Sequence, residues 1–200
     1  MELNGLIELG RLAAFSFAAG VNLYATVAMI GLAARFDWVD LPAQFALFDN
    51  GWVIGAALAL YLVEFFADKI PYVDTLWDVL HTAIRPLGGA LIAVASLGDA
   101  SPGVQGLAAL LGGTLAASSH FTKAGTRAAV NTSPEPLSNW LVSLAEDGFV
   151  VGLGLLALNY PVAALTVVLV LVVVIVACAA ALVRAIRRRF ARAVPAAQPS

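Results

Sequence analysis

Long apolar runs separated by short polar corners dominate the chain. Residues 12–34 are uncharged between Arg11 and Arg35, and 51–67 are interrupted only by Glu64. Residues 100–122 form another clean run, and 160–183 close on Arg184, Arg187, Arg188, Arg189 and Arg192. Each approaches the roughly 20 residues that a helix needs to cross a bilayer. Two further runs, 87–98 and 148–159, are too short to cross alone at about 1.5 Å per residue. Each needs the polar half before it, 74–85 or 137–147, with Pro86 or Gly148 at the joint. The pattern predicts an all-α polytopic membrane helix bundle of about six spans, near 12–34, 51–67, 74–98, 101–122, 137–158 and 160–183, two of them broken. Residues 1–190 form one transmembrane domain, and 191–200 read as a disordered cytoplasmic tail.

Composition reinforces this reading. Hydrophobic residues make up 61% of the chain against 12% charged, with mean hydropathy +0.90. That leaves too little polar surface for a water-soluble globule. About six spans use nearly all of 200 residues, so no separate soluble catalytic domain fits. A net charge of −2 gives no basic bias toward nucleic acid. Cys178 is the lone cysteine, which excludes an internal disulfide, and its apolar neighbours suggest a small buried hydrophobe.

Alternating spans put Arg11, Lys69, Lys123, Arg127 and the C-terminal arginines on one side, which the positive-inside rule makes cytoplasmic. Asp37, Asp40, Asp49 and Asp99 fall on the other. The expectation is a multi-pass inner (plasma) membrane protein with both termini cytoplasmic. Sliding the chain on itself sets Pro71 over Pro134, Trp77 over Trp140, Val79 over Val142 and Gly89 over Gly152, a possible internal hairpin repeat, parallel or inverted.

Ionisable residues inside a membrane are functional suspects. Asp74, Asp78, His81 and Arg85 share one helical face that ends at Pro86. Glu64 and Asp68 stand one turn apart beside Lys69, a spacing that suits a hard cation or a shared proton. The repeat register places Arg85 at the depth of Glu146 and Asp147, so pairing between them is expected. Asn22, after Gly20 and with Tyr24 and Thr26, serves either helix packing or substrate contact. Gly112, Gly113, Ser118 and Ser119 read as a small-residue interface, and His120 as an interfacial histidine. In the corner 121–136, Ser133 starts the fifth span, while Lys123, Arg127 and Asn131 are candidates for anion or lipid contact. No HExxH motif or histidine cluster marks a metal site, so no metal and no cofactor is expected.

Three segments carry a resemblance: GVNLYAT at 20–26, FFADKIPYVDTLWDVLHTAIRPLGGAL at 65–91 and TKAGTRAAVNTSPEPLSNW at 122–140. In them, and over about residues 8–190, the chain resembles the bacterial membrane family catalogued as domain of unknown function 4126. The resemblance implies an integral membrane protein and supplies no substrate. The residues point to a small secondary transporter or ion permease whose path is lined by Asn22, Glu64, Asp68, Asp78, His81, Arg85, Glu146 and Asp147. The alternative is a non-catalytic scaffold or lipid-interacting assembly protein in which those charges are interhelical ties. An intramembrane enzyme built on Asp74, Asp78 and His81 lacks a nucleophile pattern, so no enzyme is expected. The expected partners are the lipid bilayer, a small ion or solute and a second copy in a homodimer, and no nucleic acid.

Overall fold

A computed structural model describes residues 2–132 and 136–193. The described chain is all helical. Helices α1 (Glu2–Val21) and α2 (Leu23–Arg35) are joined at a single residue, and a short 3-10 helix (Ala43–Leu47) precedes α3 (Gly51–Ala67). Then follow α4 (Pro71–Ser96), α5 (Pro102–Val130), α6 (Pro136–Asn159) and α7 (Pro161–Ala193). Tyr72–Ser96, Leu137–Asn159 and Pro161–Arg189 are long and apolar enough to cross a membrane, and two shorter apolar helices lie at Leu23–Arg35 and Gly51–Ala67.

The segment expected as the first span does not run from one end of the bundle to the other. Asn22 has an extended backbone (φ −146, ψ 101), and its Oδ1 accepts from Ala25 N at 2.9 Å, so it ends α1 and caps α2. Contacts on either side of Asn22 fix the directions. Along α1, Leu12 packs with Ala93 and Ala108. Ser16 Oγ donates to Gly89 O at 2.9 Å, and Gly20 O accepts from Arg85 Nη1 at 3.4 Å. This helix therefore descends antiparallel to α4. Along α2, Asn22 meets Asp147 and Met29 abuts Gly154, so α2 climbs parallel to α6. Arg35 then pairs with Asp49 at 2.8 Å. Asn4, Glu8 and Arg11 of α1 line a 620 Å³ cleft together with Asp40, Gln44 and Asp99. Both ends of the α1–α2 hairpin thus lie at one end of the bundle, and its tip is buried in the middle. The physical reason is local: one capping asparagine inside a long apolar run offers the chain a place to turn.

The expected breaks at Pro86 and Gly148 are corrected too, because α4 and α6 run through both positions. A proline inside a membrane helix is tolerated when neighbours re-satisfy the freed backbone. At Gly148 nothing lies within 4 Å of an added Cβ, so this glycine costs helix propensity without serving a turn.

Close backbone approach holds the hairpin. A Cβ on Gly20 would sit 2.0 Å from Ala116 O, and one on Gly112 would sit 2.8 Å from Ser16 Oγ of α1. At the mouth, Phe45 of the 3-10 helix is buried against Phe15, ring centroids 6.1 Å apart. The outer surface of α7 is apolar and exposed. Cys178 is on that surface, not in the core. Residues 191–193, expected to belong to the tail, are the end of α7; the rest of the expected tail, residues 194–200, and Ser133, Pro134 and Glu135 lie outside the described residues.

Candidate functional site

The polar faces of α3, α4, α5 and α6 converge around the hairpin tip. Glu64 and Asp68 stand one turn apart at the end of α3, and α4 contributes Asp74, Asp78, His81 and Arg85 from one face. Helix α5 contributes His120, Lys123 and Arg127, all buried, and α6 contributes Glu146 and Asp147.

Glu64, fully buried, accepts from Arg85 Nη2 at 2.8 Å and from Lys123 Nζ at 3.3 Å. Arg85 Nη1 also reaches Asp78 at 3.1 Å. Lys123 reaches Asp68 at 2.9 Å, and Glu146 at 3.6 Å. Arg127 is the most widely shared cation: it pairs with Asp74 at 3.2 Å and Glu146 at 3.6 Å, and donates to Asn139 Oδ1 at 2.7 Å and to the Asp68 carbonyl. Asn131 Nδ2 supports Asp74 at 2.9 Å. Lys69 lies at the edge of the cluster, over the Phe65 ring at 3.1 Å and donating to Ser143 Oγ at 3.3 Å, within electrostatic reach of Asp68 and Asp147.

Arg85 does not meet Glu146 or Asp147. Its helix continues straight through Pro86 and turns the guanidinium toward α3 and α5, while Glu146 faces Lys123 and Arg127. Asp147 instead takes a hydrogen bond from Asn22 Nδ2 at 3.3 Å. Lys123 and Arg127 are also displaced from expectation: α5 extends to Val130, so they are helical, buried and committed to carboxylates rather than presented to an anion or lipid on a loop. His120 is buried, not interfacial. The spacing of His120, Lys123 and Arg127, three then four residues, was the signal that they share a helical face.

The two histidines have different partners. Arg85 Nη1 donates to His120 Nδ1 at 2.8 Å, which leaves the ring proton on Nε2, 3.3 Å from Thr82 Oγ1. His81 Nδ1 donates to Trp77 O at 2.7 Å, and its Nε2 lies 2.8 Å from Tyr24 Oη. Trp77 stacks on His81 with centroids 4.6 Å apart. Tyr24 and Trp77 were outside the path expected from sequence.

Glu64, Asp68, Asp74, Asp78, Glu146 and Asp147 outnumber the cations Arg85, Lys123 and Arg127 that sit among them. Glu64 Oε2, Asp68 Oδ1, Glu146 Oε2 and Asp147 Oδ2 are buried without a hydrogen-bond partner. Among the described residues no three His, Cys, Asp or Glu side chains are grouped to hold a metal ion. A 120 Å³ cavity between α4 and α5 reaches the cluster past Thr75, Asp78, Thr82, His120 and Arg127.

Residues 9–181 match the family described as Domain of unknown function (DUF4126). The chain belongs to this family. Its matched region takes in every residue of the DUF4126 charge cluster, from Asn22 at the hairpin tip to Asp147 on α6. No curated protein and no solved structure matches the chain.

Proposed function

We propose that this protein is an integral membrane permease or secondary transporter that moves protons or a small cation through the charge cluster at the hairpin tip. The observation that carries this reading is the surplus of buried carboxylates over buried cations, with carboxylate oxygens left without donors. Uncompensated charge in a low-dielectric interior costs several kcal/mol per ion, so the surplus demands bound protons or a bound cation. The path takes in Asn22, Glu64, Asp68, Asp78, His81, Arg85, Glu146 and Asp147.

In this reading α3 to α7 cross the bilayer and the α1–α2 hairpin enters and leaves on the side of Asp40 and Asp99. Exposed aromatics support two interfaces, with Trp52 and Tyr160 at one end of the bundle and Tyr72 and Trp140 at the other. The arginines near the end of α7 support a cytoplasmic placement of that side, and we assign the membrane as the inner (plasma) membrane. Residues 2–10 are then on the opposite side, in place of the cytoplasmic position expected from simple alternation.

The test is flux into liposomes under a pH gradient, comparing wild type with Glu64→Gln and Asp78→Asn. Both substitutions are expected to abolish flux in folded protein; flux that survives them removes the assignment. A scaffold reading draws support from Arg127, which ties α3, α4 and α6 to α5. It predicts silence in liposomes from folded wild type, together with thermal destabilisation when those pairs are neutralised.

A further inference from the structure

We infer that His81 is a proton-binding site cradled jointly by α4 and the hairpin tip, and that proton uptake there reverses its hydrogen bond to Tyr24. The inference rests on the permease reading for its role and on the geometry of His81 for its chemistry.

The cradle has an acceptor for each proton that an imidazolium carries. Nδ1–H already donates to Trp77 O at 2.7 Å. In the neutral ring Nε2 has only a lone pair, so Tyr24 O–H donates to it across 2.8 Å. When Nε2 takes a proton, the same contact persists with Nε2–H donating and the Tyr24 oxygen accepting, and the phenol keeps its own proton and turns it away. The indole of Trp77, stacked at 4.6 Å and 30°, offers a π face to the resulting cation. Tyr24 meets the edge of the ring at 5.5 Å and lies 6.4 Å from the Trp77 ring, so the three rings pack together.

The other charges and titratable groups facing His81 are Glu64 from α3, Asp78 and Arg85 from its own helix, and His120 from α5. Glu64 interacts electrostatically with both Tyr24 and His81, so its carboxylate favours the added positive charge. His120 is built the opposite way. Its Nδ1 faces a guanidinium that can only donate, so a second ring proton there would abut an Arg85 N–H.

Tyr24 lies in the first turn of α2, two residues beyond the capping Asn22. Reversal of the Tyr24–His81 bond therefore acts on the tip that closes the bundle between α4 and α6.

The test is ¹⁵N-histidine NMR on the full-length protein in nanodiscs across a pH series, with the rings assigned through His81→Gln and, independently, His120→Gln. The expected result is a His81 ring that starts with its proton on Nδ1 and becomes an imidazolium as pH falls, while His120 keeps its proton on Nε2. A His81 that stays neutral while the protein is folded, or a His120 that protonates first, overturns the inference. Hydrogen exchange of the first turn of α2 is expected to rise as His81 protonates, and to lose that pH dependence in Tyr24→Phe. Exchange that is indifferent to His81 overturns the coupling. Liposome flux separates the two proposals: a His81 that titrates as expected in a protein without flux refutes only the permease, and carboxylate-dependent flux with a silent His81 refutes only this site.

Discussion

Asn22 and Asp147 meet at the tip of the hairpin: the asparagine amide donates to Asp147 Oδ1 at 3.3 Å while its own Oδ1 caps α2. One side chain thus both turns the backbone and holds it to α6. Asn22→Ala removes the cap, worth about 1 kcal/mol, and strips Asp147 of a donor, worth about 1–3 kcal/mol more. Asn22→Asp keeps the cap but sets one carboxylate against another. Thermal unfolding in detergent is expected to show both variants destabilised, with Asn22→Asp at least as low as Asn22→Ala at neutral pH and recovering when acidified. If Asn22→Asp melts with wild type at neutral pH, the contact with Asp147 carries no weight.

Glu64 and Arg85 form a fully buried pair. Arg85→Met leaves Glu64 and Asp78 short of a cation and is expected to cost about 3–5 kcal/mol. Glu64→Gln together with Arg85→Met removes opposite charges at once and is expected to recover part of that loss. A double-mutant cycle on chemical denaturation reads the coupling. Additive effects would mean the pair does not interact.

The faces that carry this cluster were legible in the sequence, because spacing on one helix is local information. Glu64 with Asp68, and Asp74 with Asp78, His81 and Arg85, are set by helical period alone. Which helix each face meets was not legible. The repeat register matched Arg85 to Glu146 and Asp147 by depth, but depth says nothing about how α4 and α6 are rotated about their axes. The hairpin was hidden for a different reason: a long uncharged run reads as one crossing, and a single asparagine in it reads as a packing contact. Asn22 followed by Leu-Tyr-Ala-Thr is nevertheless a cap signature in a place where a helix has no need to begin. The buried role of Lys123 and Arg127 was missed because positive charge near a span end ordinarily marks the cytoplasmic side.

Two glycines separate contact from propensity. At Gly20 an added methyl would collide with the Ala116 carbonyl, so Gly20→Ala is expected to destabilise by about 1–3 kcal/mol. At Gly148 the space is open and the backbone helical, so Gly148→Ala is expected to stabilise by about 0.5–1 kcal/mol. Melting curves of the two variants side by side check both signs. A destabilised Gly148→Ala would place an unrecognised partner against α6.

The proposed placement of the two ends of the described chain on opposite sides of the membrane is open to chemical labelling. In a Cys178→Ser background, Asn4→Cys is expected to react with an impermeant maleimide added outside intact cells. Arg188→Cys is expected to react only after permeabilisation. Equal protection of both positions in intact cells would restore an even number of crossings and remove the re-entrant hairpin.

The hairpin also sets an order of assembly. It precedes α4, α5 and α6 in the chain, yet Gly20 at its tip packs on Ala116 of α5 and the capping Asn22 donates to Asp147 of α6. A helix start held in hydrocarbon without partners is costly, so the tip cannot settle at mid-depth during synthesis. Docking of the tip is therefore expected to follow the insertion of α5 and α6. The contact of Asn22 with Asp147 spans 125 residues, so a chain stalled before α6 is expected to carry an undocked, apolar hairpin exposed to whatever quality-control machinery patrols that face.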